Sequence, residues 1–463
     1  MSTDPGLIAT LLRERGGEAM ALNDAYLNPQ LGRIVRTLGF DRTWVRGEGA
    51  YLVDDTGARY LDLLCGYGVF AVGRSHPTVT RALTEALAAS TPNMPQLGVA
   101  VLPGVLAERL VARAPKGIAA LVPANSGAEA VEGAMKLSRA ATGRARILFA
   151  DHAFHGLTLG ALSLNGNDEF REGFGPFVAG CTSVPFGDLD ALERELAGGD
   201  VAAFIVEPVQ GKGINLPPAG YLEGAQARCR AAGTLFVCDE VQTGLGRTGR
   251  FFALEHWGLE PDLICVAKAL SGGYVPTGGV LATRAVMDKV FDGMERGVRH
   301  GSTFGPNDLA AAAGIATLQV LDDEDLVARA ARLGDLLLEL TRPLVDRYDI
   351  VRDVRGLGLM WAIELGRPEG RAARRTWSVV EKAQAGLAAQ LLTVPLFHDH
   401  RILCQVAGHR MNVVKALPAL VATEDDIRHF AGALEEVVAR AEKLPSAYAS
   451  FGLRLAKQVV RSR

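Results

Sequence analysis

Residues 238–251 read "CDEVQTGLGRTGRF". Gly244, Gly246 and Gly249 match the G-x-G-x-x-G spacing of dinucleotide-binding folds. That site needs a strand before its first glycine, a helix opening on its last and an acid about 20 residues further on, because the pyrophosphate rests on a helix N-terminus. The apolar run from Thr234 to Cys238 supplies the strand. The rest fails: Asp239, Glu240, Val241, Gln242 and Thr243 stand between strand and glycines, and "RTGRFFALEHWG" is too short and too aromatic for a crossover helix. A nicotinamide oxidoreductase rests on the glycines alone and becomes the distant alternative. The weight moves to the five polar and apolar residues that follow a buried strand.

Working outward, the 463-residue length calls for about three domain-sized units. A net charge of −3 with no dense Lys/Arg block argues against a nucleic-acid partner. No apolar run approaches the ~18 residues of a membrane span, and the first 20 residues lack a secretory pattern. The six cysteines lie far apart without C-x-x-C spacing, as expected of reduced thiols in a cytoplasmic protein.

Residues 1–45 read as an amphipathic helical segment with breaks at Pro29 and Gly32. "AYLVDDTGARYLDLLCG" reads as a hairpin around Asp54-Asp55-Thr56-Gly57. Helical periodicity marks "TVTRALTEALAAS", "LPGVLAERLVARA" and "GAEAVEGAMKLSRAAT", alternating with short Val/Ile/Phe-rich strands "ARILFAD", "VAAFIVEP", "TLFVCDE" and "DLICVAK". Apolar strands separated by helices imply an α/β fold, its mainly parallel sheet covered on both faces. Past residue 335 the pattern changes to a long helix "DEDLVARAARLGDLLLELTRPLVDRY", a strand "LGLMWAIEL", a further helix and "RILCQVAG". The expected organisation is an N-terminal segment (1–45), a first part of a smaller α+β domain (46–90), a large domain (91–335), the rest of the smaller domain (336–445) and a helical, basic tail (446–463).

Ligands of open parallel sheets sit at the carboxyl ends of the strands. Asp239 and Glu240 occupy one such end and Lys268 another, closing "PDLICVAK" before the loop "ALSGGYVPTGG". A lysine there is either emerging into solvent or held in a site where burial depresses its pKa. At "PANSGAEAVEGAMK" a strand runs into a helix, whose free N–H groups would welcome a phosphate, or simply cap. A strand-end lysine able to form a Schiff base, an anion site and an aspartate able to hold a pyridine nitrogen protonated together equip a chain for pyridoxal phosphate chemistry.

From about residue 30 to 440 the sequence resembles the class III aminotransferases, which are pyridoxal phosphate enzymes of fold type I. The motifs "NSGAEAVEGAMKLSR", "FHGLTLGALS", "VEPVQGKG", "DEVQTGLGRTG", "DLICVAKALSGG" and "HGSTFGPN" keep that family's order and spacing. The resemblance implies a seven-stranded, mainly parallel sheet in the large domain. It implies Lys268 as the Schiff-base lysine and Asp239 as the partner of the pyridine nitrogen, both catalytic. Gln242 would face the ring hydroxyl, Phe154 and Val241 would cover the two ring faces, and His155 would shape the pocket. Ser126, Gly127 and Ala128 would hold the phosphate, with Thr303 from the other subunit of a homodimer. The substrates implied are a small amine and a 2-oxo acid. Glu207 is open between a structural hydrogen bond and catalysis. His398, His400 and His409 lack ligand spacing, so no metal is expected.

The substrate end departs from the family. Where ω-amino acid transaminases often carry arginine after "FHG", residue 157 is leucine. A second arginine, common before "xxPPL", is replaced by Lys415, and the acid after "EPxQG" by Lys212. With Tyr67 these form the expected substrate-binding set. An amine or aldehyde without a carboxylate near the reacting carbon, such as a polyamine or natural-product intermediate, is therefore the expected substrate. Alternatives are an ornithine, acetylornithine or 4-aminobutyrate type of transaminase, or an aminomutase or decarboxylase on the same cofactor.

Overall fold

The computed structural model describes residues 6–443 apart from 96, 97, 384 and 409. The expected tail at 446–463 lies outside the described residues, as does His409. Among the described residues three sheets form. The first is an antiparallel meander of β1 (Trp44–Glu48), β2 (Tyr51–Asp54) and β3 (Arg59–Asp62). Its turn closes because the Asp54 carboxylate accepts from the Thr56 and Ala58 N–H groups at 3.0 and 2.9 Å, a side-chain substitute for backbone pairing.

The central sheet comprises β4 (Ile118–Ala124), β5 (Arg146–Ala150), β6 (Cys181–Val184), β7 (Val201–Val206), β8 (Leu235–Asp239), β9 (Leu263–Val266) and β10 (Gly278–Thr283), in the order β4-β10-β9-β8-β7-β5-β6. β5 to β9 are parallel. β10 runs antiparallel to both β4 and β9, so β4 ends on the same edge as the parallel strands. Alternate residues enter two separate cores: Ile147, Ala203, Val237 and Cys265 on one face, Leu148, Phe204, Cys238 and Ile264 on the other. A strand buried on both faces has to be apolar throughout, which is why these runs show no alternation.

The third sheet joins β11 (Val351–Leu357), β12 (Met360–Leu365), β14 (Gln405–Val406) and β15 (Val413–Ala416), while β13 (Ile402–Leu403) pairs in parallel with β3. The N-terminal meander is thus tied to C-terminal chain through β13 and not through the third sheet.

Three sequence expectations need correction. Gly32 does not break a helix: it lies inside Pro29–Leu38, where a Cβ would fall 1.9 Å from Asp24 Oδ1. It is there for close packing. The stretch "LGLMWAIEL" is the end of β11, a turn and β12, because Gly358 adopts φ 54° between Leu357 and Met360. The long helix after 323 is two, Leu326–Thr341 and Leu344–Arg347, divided at Pro343, which has no N–H to continue the ladder.

The glycines of the opening stretch find their use here. A Cβ on Gly249 (φ 83°) would lie 2.8 Å from the Ala331 Cβ, and one on Gly358 would lie 2.4 Å from the Thr248 carbonyl carbon. The loop is pressed between the helix Leu326–Thr341 and the β11–β12 turn. Buried Arg247 fastens it further by donating to the Pro418 carbonyl. No crossover helix follows, only a short 3-10 turn at Ala253–Trp257.

Candidate active site

The carboxyl ends of β4, β5, β7, β8 and β9 converge on one edge of the central sheet. Each contributes a polar or reactive residue just past its last apolar one. β8 ends in Asp239, which is 3% exposed. Its Oδ2 lies 2.7 Å from His155 Nδ1, and its Oδ1 accepts the Val241 N–H at 3.0 Å. A carboxylate with both oxygens engaged is fixed in orientation. Burial alone would press the His155 pKa down, but the hydrogen bond to Asp239 and the charges of Asp239 and Glu207 carry it above its ordinary value. The His155 backbone is itself anchored, its N–H donating to Asn165 Oδ1 at 2.9 Å.

β7 leads into Glu207, whose carboxylate accepts the N–H groups of Phe154 (3.0 Å) and Gly211 (2.7 Å). It clamps two loops of the site together. Burial raises its pKa. Glu240, next to Asp239, is turned the other way. It accepts from Leu254 N–H at 2.7 Å and Ala253 N–H at 3.1 Å, and also from the Thr243 hydroxyl. Burial pushes it up to about 7, but its role is to hold the 253–257 turn.

Past β9, Lys268 stands at φ 42° and its side chain lines a cavity of about 450 Å³. Burial lowers its pKa, against the opposing charges of Asp239 and Glu207. From β4 the chain enters the helix Gly127–Thr142, capped by Ser126, whose Oγ accepts the Glu129 N–H at 3.1 Å. This N-terminus comes close to the other elements. A Cβ on Gly127 would meet Val241 Cγ1 at 2.7 Å, and one on Gly156 would meet Ala128 Cβ at 2.5 Å. Gln242 donates through Nε2 to the Tyr67 carbonyl at 3.0 Å, while its Oε1 is buried without a partner among the described residues.

Tyr67, Phe154, Leu157, Lys212, Gln242, Lys268, Glu207 and Lys415 all line the same cavity. Ser126, Gly127 and Ala128 form the helix start, against which Val241 packs, and Asp239 and His155 are buried; none of these lines the cavity itself. Thr303 is not brought in. It lies on an exposed loop whose neighbour Ser302 accepts from Asn125 Nδ2 at 2.6 Å. His398 and His400 are away from the cavity, contacting the Leu38 carbonyl and Glu436 respectively. Among the described residues no group of three or more His, Cys, Asp or Glu could hold a metal.

The reading of residues alone missed part of the wall. Phe170 stacks edge-on to Phe154 with centroids 5.3 Å apart, and Gln405 to Gly408 close the far side. Neither carries a local motif. Two lysines of the expected substrate-binding set line the cavity and are engaged by protein groups. Lys212 is paired with Glu169. Lys415 is buried, donates to the Gly211 carbonyl at 2.8 Å, and is pushed down to about 7 by burial and by the neighbouring Lys268.

A family model for class III aminotransferases matches residues 37–438. The chain belongs to that family. Aminotransferase PigE of Serratia sp. (strain ATCC 39006) is 34% identical over 444 residues, covering 89% of this chain and 52% of that protein. The chain therefore spans about half the length of that relative. The ornithine aminotransferase of Toxoplasma gondii superposes with a TM-score of 0.80 at 29% identity, over 96% of this chain and all of the other. An amine transaminase from an uncultivated Pseudomonas species, solved with its cofactor bound, superposes with a TM-score of 0.75 at 30% identity, over 87% of this chain and 96% of the other. The fold is that of the fold type I transaminases, a class of pyridoxal phosphate-dependent enzymes.

The chain has the residues for the cofactor that its family implies. A fixed, buried carboxylate (Asp239), an amide oxygen without a partner among the described residues (Gln242 Oε1), a helix N-terminus at Gly127 and a lysine of lowered pKa (Lys268) lie at one edge of the central sheet. These are the groups that a pyridine nitrogen, a ring hydroxyl, a phosphate and an aldehyde require. Among the described residues no helix is long and apolar enough to cross a membrane.

Proposed function

We propose that this aminotransferase exchanges an amino group between a primary amine or aldehyde without a carboxylate near its reacting carbon and a 2-oxo acid. Bound in the pocket, pyridoxal phosphate would supply an aldehyde for amines and an electron-accepting ring beside the substrate Cα. Lys268 would hold it and then, through Nζ, move the proton to and from that carbon. Asp239 would keep a proton at the ring nitrogen, held in place by His155. Gln242 would face the ring hydroxyl, and Phe154 and Val241 the ring faces. Ser126, Gly127 and Ala128 would bind the phosphate together with Thr303 of the partner subunit in a homodimer.

The observation that carries the substrate reading is the state of the pocket's cations. Leu157 presents an apolar side chain, 57% exposed, where a carboxylate would need a guanidinium. Lys212 is already neutralised by Glu169, and Lys415 has its pKa near 7. A lysine also offers a point charge in place of arginine's bidentate fork. An amine with a nearby carboxylate therefore meets no ready counter-charge. The likeness to an amine transaminase supports this reading, and the likeness to an ornithine aminotransferase supports the ω-amino acid alternative.

The test is a panel of amines assayed with pyruvate and with 2-oxoglutarate. Carboxylate-free alkylamines or diamines should exceed ornithine and 4-aminobutyrate in kcat/KM by at least about tenfold, the loss of one charged contact. Leu157→Arg should narrow that gap by lowering KM for 4-aminobutyrate. A wild-type preference for ornithine or 4-aminobutyrate contradicts the proposal.

A further inference from the structure

Phe154 and His155 stand on a loop outside the helices and strands, so each buried backbone group of that loop needs a partner from elsewhere. The Glu207 carboxylate takes the Phe154 N–H. Much of the rest falls to three consecutive residues, Asn165-Gly166-Asn167, that run alongside the loop. The Gly166 N–H donates to the Ala153 carbonyl at 3.1 Å, and Asn167 Nδ2 donates to the His152 carbonyl at 3.2 Å. Asn165 acts through its side chain. Its Oδ1 accepts the His155 N–H at 2.9 Å, and its Nδ2 donates to the Gly156 carbonyl, also at 2.9 Å. Asn165 is fully buried, and a primary amide carries the donor and the acceptor that this pair of groups demands. It is fixed in turn: its N–H donates to the Leu162 carbonyl at 3.1 Å, and its carbonyl accepts from Arg171 at 3.2 Å.

The gripped dipeptide is confined on its other sides. A Cβ on Gly156 would strike the Ala128 Cβ at 2.5 Å, and the His155 ring meets Asp239 Oδ2 through Nδ1 at 2.7 Å. That ring has no second polar hold, because its Nε2 is buried without a partner among the described residues. The backbone at 155 therefore decides where the imidazole sits on the carboxylate, and a hydrogen bond weakens steeply as its angle closes. We infer that Asn165 is a positioning residue of the reaction: by gripping the His155–Gly156 backbone it holds the imidazole on Asp239, and through that pair it sets how firmly Asp239 keeps the proton of the ring nitrogen. This rests on the roles proposed above for Asp239 and His155. Asn165 itself does not line the cavity. Leucine in its place would leave the His155 N–H and the Gly156 carbonyl unpaired in a buried site, whereas aspartate would keep the acceptor and set an oxygen against that carbonyl.

The experiment compares four holoenzymes, wild type, Asn165→Leu, His155→Phe and the double variant. It reads kcat, KM and the pH midpoint of the bound cofactor's visible absorbance band, which responds to charge at the ring nitrogen. Asn165→Leu should lower kcat about tenfold while KM changes less than about threefold, and should move the midpoint in the same direction as His155→Phe. Added to His155→Phe, it should change kcat by less than about twofold. A residue serving only the fold would lower the melting temperature without moving the midpoint, and its effect would persist without the imidazole. Asn165→Asp, nearly equal in size, takes the same measurements should leucine prevent folding. An unshifted midpoint in the Asn165 variant, or an equal loss of kcat with His155 absent, overturns the inference while the role of His155 stands. So does failure of both Asn165 variants to fold beside a folded His155→Phe. Wild-type kcat and midpoint in His155→Phe would instead remove the role proposed for His155, and this inference with it.

Discussion

Lys268→Ala should lose transamination by at least about a thousandfold, since proton transfer by a positioned side chain is alone worth roughly 10²–10⁴. The residue combines two tasks that no neighbour can take over. Its position past β9, at φ 42°, places it on the cavity wall, and burial lowers its pKa, which favours the unprotonated amine that attacks an aldehyde. Lys212 and Lys415 share the cavity but are engaged elsewhere, with Glu169 and the Gly211 carbonyl. Neither lies at the end of the strand next to Asp239. The variant should still retain cofactor through the helix N-terminus at Gly127, which separates loss of chemistry from loss of binding. Single-turnover measurement with excess cofactor checks this, and turnover within tenfold of wild type would contradict it.

Asp239→Asn should lower kcat by about ten- to a hundredfold or slightly more, the worth of one hydrogen bond to a charged group, roughly 1.5–3 kcal/mol. The substitution keeps size and the Val241 N–H contact but removes the charge that raises the His155 pKa and would hold the ring nitrogen protonated. Its effect should therefore fall on kcat more than on KM, with the melting temperature little changed. An effect confined to KM or to stability would reduce Asp239 to a structural acid.

The large sheet and its main helix were legible because local and tertiary signals agree there. The helix from "GAEAVEGAMKLSRAAT" begins and ends where expected, at a Ser126 cap and a left-handed Gly143. Runs such as "VAAFIV" read correctly as strands because both their faces are buried. Errors arose where a glycine had two readings. Gly32 looked like a breaker and is a packing contact, whereas Gly358 sat unnoticed inside an apparent strand and makes a turn. Local sequence does not say what a missing side chain makes room for.

The candidate site shows the same division. Residues past strand ends, Asp239, Glu207 and Lys268, stand out because polar groups following apolar runs are costly. Glu169 and the Gln405–Gly408 wall were invisible, since only the tertiary fold brings the first to Lys212 and the second to the cavity. The glycine pattern misled for the opposite reason: its spacing is real, but tight packing against Ala331 and the β11–β12 turn accounts for it.

Among the described residues three lysines face one cavity, so the central claim reduces to which of them carries the cofactor. Borohydride reduction of the holoenzyme, followed by proteolysis and peptide mass spectrometry, reads this directly. The account predicts the pyridoxyl mass on the peptide containing Lys268 and on no other. The same mass on the Lys212 or Lys415 peptide, with Lys268 unmodified, would contradict it.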